Sequence, residues 1–248
     1  MFWYIRASHQ GPYSMKPNPE ELSSNEQTES VPEGTTHLLF PTPVKLFMLE
    51  ELAMNADLAR FFSGNPRFHS RDQAEQSDAA TLMDYADDVP ALRRLEGLFL
   101  ACLKDYCRDI GWRGEFDLAM QMFPNVAPKG HYVPSHNHVA HISAVYYVHS
   151  QASDKPLLVS NESVRDYWRP DEGALILHDP RFNASLQGGW QYHAKVFPRP
   201  GLMIFFPSFL WHEVTPHQAQ EARLSVAANF TLVYRDVPAY ERHLLFQT

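Results

Sequence analysis

Apolar residues recur at helical spacing in the first half of this chain and at strand spacing in the second, and the change comes at Gly111. Upstream, Leu92, Leu95, Leu98, Phe99, Cys102, Leu103, Tyr106 and Ile110 return every three or four positions. That puts them on one stripe of a helix over about 90–110. Pro90 suits its first turn, where a missing N–H costs nothing, and Gly111 suits its end. A second helix is expected over 50–64, and another helix start near Ser77. Ordered structure is expected to begin at 37–44, an edge strand broken by Pro41 and Pro43.

Beyond Gly111 the apolar runs are short, and Gly, Pro, Asn and Asp separate them. The segments 115–123, 139–149, 156–160, 173–178, 193–197, 201–206 and 222–234 read as strands. A helical part over about 50–111 followed by seven or eight strands over about 115–234 predicts an α+β fold with a β-sandwich or barrel core. Residues 1–35 show no periodicity and carry clusters of Pro, Ser, Asn and Glu. They are expected to form a poorly ordered leader to a single domain over 36–248, and Met15 could serve as an alternative start.

Composition narrows the function classes. The formal charge of −8 argues against a nucleic-acid partner. No apolar run approaches the roughly 20 residues that cross a bilayer, and the apolar start at Met1 is too short for a signal peptide. The two cysteines, Cys102 and Cys107, cannot build a disulfide framework, so a cytoplasmic location is expected. The oligomeric state stays open, a dimer included.

The chemistry concentrates in Gly130-His-Tyr-Val-Pro-Ser-His136-Asn-His138-Val-Ala-His141 and the strand after it. Five of the thirteen histidines fall within about twenty residues here. In a strand, His136 and His138 would share a face and could grip one metal ion. His212 is the best third ligand, because Pro207 and a turn follow a short buried strand and place it at a strand end. Three ligands leave an open position for catalysis. His141 falls on the opposite face and reads as structural. His131, His149, His178 and His193 read as ordinary.

A second pattern lies in Arg223-Leu-Ser225-Val-Ala-Ala-Asn229-Phe. Arg223, Ser225, Ala227 and Asn229 alternate with Leu224, Val226, Ala228 and Phe230. A polar face turned into a barrel needs a reason, because buried charge must be paired. Arg223 with Ser225 makes a clamp for a carboxylate. Tyr146 or Tyr147 could add a phenol to the same acid. Which of the two faces inward depends on where the turn after His138 ends.

Taken together, these motifs resemble the Fe(II)/2-oxoglutarate-dependent dioxygenases. More narrowly, they resemble a bacterial and phage group of 2-oxoglutarate/Fe(II) oxygenases. The residues that carry the resemblance are Leu39-Phe-Pro-Thr-Pro43, His136-Asn-His138, Ser143-Ala-Val-Tyr-Tyr147, Asp179-Pro-Arg181, Phe206-Pro-Ser208 with His212, and Arg223-Leu-Ser225 with Asn229. Ala144 stands where the group has Gly. The resemblance implies a double-stranded β-helix (jelly-roll) core with an N-terminal helical scaffold. It implies Fe(II) on His136, His138 and His212, with 2-oxoglutarate chelating the iron and reaching Arg223 and Ser225, near Tyr147, Tyr146 and Asn229. It further implies release of succinate and CO2 and oxidation of a substrate, usually hydroxylation of a small or amino-acid-like molecule. One departure stands out. Most such enzymes use two histidines and one carboxylate, whereas His138 stands at the carboxylate's place. Asp179, in Asp179-Pro-Arg181, is the candidate for a substitute carboxylate.

Two other readings share these residues. A three-histidine cupin dioxygenase would use iron without 2-oxoglutarate, although the expected glutamate of the cupin box is missing and Arg-x-Ser would have no role. A non-enzymatic β-sandwich would bind zinc structurally, or nothing. The segment 183–193, with Trp190 and Tyr192, reads as a loop over the site, and Tyr167 and Trp168 could join it.

Overall fold

The computed structural model describes residues 41–69, 82–112, 116–151, 153–160, 173–181 and 193–234. The leader over 1–35, the helix start near Ser77, Tyr167, Trp168 and nearly all of the loop over 183–193 lie outside these residues.

Two α-helices are described. Helix α1 is Leu52–Gly64 and buries Met54, Leu58 and Phe62, spaced four apart on one stripe. Helix α2 is Pro90–Asp109, with Pro90 in its first turn as the pattern predicts. Its end is a Schellman motif. Gly111 takes φ +74°, its N–H bonds the Arg108 carbonyl at 3.1 Å, and the Trp112 N–H bonds the Cys107 carbonyl at 2.9 Å.

Ten strands are described: β1 Lys45–Met48, β2 Phe116–Ala127, β3 Val133–His136, β4 Ile142–His149, β5 Leu158–Ser160, β6 Leu175–His178, β7 His193–Val196, β8 Leu202–Pro207, β9 His212–Val214 and β10 Arg223–Tyr234. They form two five-stranded sheets, in the orders β1-β8-β4-β10-β2 and β3-β9-β6-β7-β5. Every pairing is antiparallel. This is the expected α+β architecture with a jelly-roll core. The first strand differs in position: it follows Pro41 and Pro43 instead of containing them, because proline lacks the N–H a ladder needs. It does lie at a sheet edge. Strands β3 and β9, of four and three residues, went unpredicted because they are too short for alternation to register.

Alternation along the first sheet divides the protein into two apolar layers. Ala144, Tyr146, Met203, Phe205, Leu224, Val226, Ala228 and Phe230 pack against the helices. Tyr147, Leu202, Ile204 and Phe206 turn the other way and meet Leu175, Leu177 and Val196 of the second sheet. The functional cavity opens between the sheets, so the strands of the first sheet that line it are braced from behind by the helical layer.

Candidate metal centre

Three imidazoles converge at one side of this cavity. The potential ligand atoms of His136, His138 and His212 all lie within 4.8 Å of one another. His136 ends β3 and sits directly opposite His212, the first residue of β9. Their rings are 4.3 Å apart between centroids. His138 lies past the end of β3, so the expected shared strand face is not what joins it to His136. The chain leaves the second sheet after His136 and enters β4 of the first sheet at Ile142. His138 is on that crossing, with its ring 4.9 Å from that of His136 and 5.1 Å from that of His212.

Local hydrogen bonds prepare two of these rings for a metal. The Nδ1–H of His136 donates to the Pro134 carbonyl at 2.8 Å, and that of His212 donates to the Leu210 carbonyl at 2.9 Å. A carbonyl can only accept, so in both rings the proton is on Nδ1 and the Nε2 lone pair is free to coordinate. Burial pulls the pKa of His138 down to about 4, helped by the charge of His136. Burial also pulls His212 down to about 4, against the Leu210 bond and with repulsion from His136, His138 and His178. Both rings are therefore neutral near pH 7, the state a metal ligand requires.

The cavity measures about 310 Å³. Arg223, Ser225, Ala227 and Asn229 all line it, while Leu224, Val226, Ala228 and Phe230 join the helical core. The alternation read from the sequence is thus the observed one. Arg223 is 3% exposed. Its Nη1–H donates to the Gly173 carbonyl at 2.8 Å, and its buried Nε has no partner among the described residues. Burial lowers the guanidinium's pKa and raises that of the Tyr147 phenol, and each partly offsets the other's shift. A buried cation without a counter-charge is costly, and an anion in the cavity would remove that cost. Ser225 faces Tyr147 across β10 and β4, and both line the cavity.

The tyrosine question has a geometric answer. Tyr147 lines the cavity, whereas Tyr146 points to the opposite face and donates its hydroxyl to Asn55 Oδ1 at 2.7 Å. The expectation that Tyr146 sits by the co-substrate is corrected, because successive residues of β4 alternate sides. Asp179 is likewise removed from the metal: Arg181 holds its carboxylate through Nε at 2.9 Å and 3.1 Å and through its backbone N–H at 2.8 Å. That bond network depresses the Asp179 pKa and leaves a tight turn. Among the described residues no carboxylate joins the three histidines. His141 is structural, as expected, with its Nδ1 accepting the Leu232 N–H at 3.1 Å.

Gly173 escaped the sequence reading. It adopts φ +72°, and a Cβ there would come within 2.7 Å of Arg223 Nη1. Glycine therefore both supplies the carbonyl that holds Arg223 and leaves the space the guanidinium fills.

Residues 121–229 match the protein family described as "Putative 2OG-Fe(II) oxygenase". That match bears out the resemblance read from the sequence and the assignment to an enzyme class. Fe(II) and 2-oxoglutarate are the family's cofactor and co-substrate, and His136, His138 and His212 form a group that could hold a metal ion. Among solved structures the chain is similar to a prolyl-4-hydroxylase of Pseudomonas putida, at 16% identity over 77% of this chain and 92% of the other, with a TM-score of 0.46. It is also similar to iron-bound HygX of Streptomyces hygroscopicus, at 12% identity over 77% and 82%, with a TM-score of 0.47. A third similar structure is SnoN, an epimerase of nogalamycin biosynthesis, at 13% identity over 78% and 85%, with a TM-score of 0.46. No curated protein matches the chain.

Proposed function

We propose that this protein is a 2-oxoglutarate-dependent oxygenase that holds Fe(II) on His136, His138 and His212 and hydroxylates a small-molecule or amino-acid-like substrate in the cytoplasm. The observation that carries this reading is the buried Arg223, unpaired at Nε and lining the same cavity as the three imidazoles. It is a ready anchor for the far carboxylate of a dicarboxylate whose other end reaches the metal. Ser225 and Tyr147 supply hydroxyls beside that carboxylate, and the apolar walls from Phe206, Leu175 and Val214 suit the methylenes between.

When bound, the iron would supply oxygen activation, coupled to decarboxylation of 2-oxoglutarate to succinate and CO2. The chain's own residues do the rest. His136 and His212 present fixed Nε2 lone pairs. Arg223 neutralises and orients the acid. The enclosing strands exclude water from the reacting end.

The three-neutral-ligand set also favours a second reading, a cupin-type dioxygenase working without 2-oxoglutarate. Anaerobic titration of 2-oxoglutarate into the Fe(II)-loaded protein separates the two. A weak visible charge-transfer band is expected as the chelate forms. Iron bound with no band at saturating 2-oxoglutarate would transfer the assignment to the cupin-type reading.

A further inference from the structure

We propose that Ser143 and Ser208 are positioning residues for this centre. Their hydroxyls form one chain that holds the turn anchoring His138 and orients the Asn229 amide so that its NH2 group serves a ligand in the cavity. The inference rests on the metal-centre reading given above.

The three histidines are not held alike. His136 and His212 are each locked through their own rings. His138 is held instead through its backbone N–H, which donates to the Ser208 carbonyl at 3.0 Å. The Ser208 N–H in turn donates to the His141 carbonyl at 3.2 Å. These two bonds clamp residues 138–141 to the turn that follows β8. Ser208 is fully buried, and its hydroxyl lies 2.8 Å from that of Ser143. The Ser143 hydroxyl lies 2.8 Å from Asn229 Oδ1.

Counting protons fixes the direction of this chain. Each serine carries one hydroxyl proton. If Ser208 donates to Ser143 and Ser143 donates to Asn229 Oδ1, both hydroxyl protons have an acceptor. If the amide were turned, its NH2 would donate to Ser143 and Ser143 to Ser208, which would leave the buried Ser208 O–H with no acceptor among the described residues. An orphaned buried donor costs far more than an unused acceptor lone pair. Asn229 therefore keeps its oxygen on Ser143 and both amide protons for an acceptor oxygen in the cavity it lines. A carboxylate oxygen of the bound acid fits that donor.

Cobalt(II) is the first probe, because its visible bands report coordination without catalysis. Ser208→Ala and Ser143→Ala are expected to weaken Co(II) binding about tenfold or more and to alter the bands, while Ser143→Thr, which keeps the hydroxyl, stays close to wild type. Thermal melts confirm that each variant is folded. Asn229→Asp is expected to leave Co(II) binding near wild type but to weaken 2-oxoglutarate binding to the Co(II) protein at least tenfold. Wild-type Co(II) affinity and bands in both alanine variants would overturn the positioning role, whatever their melting temperatures. Unchanged 2-oxoglutarate binding in Asn229→Asp would overturn the amide assignment. If the wild-type Co(II) protein fails to bind 2-oxoglutarate, the oxygenase reading falls, and the cobalt comparison still decides the positioning role.

Discussion

Single residues decide whether this cavity can hold an acid. Arg223 is buried without a counter-charge among the described residues, so its removal should abolish 2-oxoglutarate binding while leaving the metal in place. Isothermal titration of the Arg223→Ala protein, loaded with Fe(II) under anaerobic conditions, tests this; retained affinity would remove Arg223 from the site. Gly173 gives a subtler probe. A methyl group at that position would press on Arg223 Nη1 and strain a backbone at φ +72°. Gly173→Ala should therefore weaken 2-oxoglutarate binding by at least tenfold with metal affinity preserved, and equal affinity for the acid would show that Arg223 can relax elsewhere. Truncating His136 or His212 to Ala should do the reverse, with loss of iron and retention of fold, as metal analysis and circular dichroism would show.

The elements show how much of this was legible in the sequence. The stripe of α2 was readable because eight apolar positions repeat at helical spacing over about twenty residues, and the alternation of β10 was readable because Arg223, Ser225 and Asn229 fall on one side and Leu224, Val226 and Phe230 on the other. Both sets of side chains point where the patterns say. The crossing from β3 to β4 was not readable, because residues 137–141 carry no period. His138 reaches the site through a backbone bond to Ser208, a contact seventy residues away in sequence that no local pattern encodes. The inward tyrosine became certain only once the start of β4 was fixed at Ile142. The helical layer also has a testable role of its own. Phe99 of α2 meets Phe205 and Phe230 at centroid distances of 6.4 Å and 6.2 Å, behind the strands that carry Phe206 and Asn229 into the cavity. Phe99→Ala should cost about 3–5 kcal/mol of stability, measured by urea denaturation. Because Phe99 touches the far side of the sheet, the folded variant should keep a Co(II) affinity within a few-fold of wild type. A large loss of affinity would mean that the helix tunes the site as well as bracing it.

At the scale of the whole molecule, the site ties folding to pH. His138 and His212 titrate at about 4 when folded, below the ordinary 6.5 they regain on unfolding, and burial is the leading cause for both. Between pH 6.5 and 4 the unfolded chain therefore binds more protons than the folded one, and stability rises with pH across that window. Their contribution is fully present above 6.5 and is lost as pH falls toward 4. Metal binding acts in the same direction, because a proton on either ring displaces the ion. The metal-free protein should melt at a lower temperature at pH 5 than at pH 7, and Fe(II) or Co(II) should raise the melting point at pH 7 more than at pH 5. Replacing His138 and His212 together by Gln removes both titrations and should flatten this part of the pH dependence in the metal-free protein. If the double variant keeps the wild-type slope between pH 7 and 5, the acid sensitivity resides in other groups, and the two imidazoles are not the neutral pair that their surroundings imply.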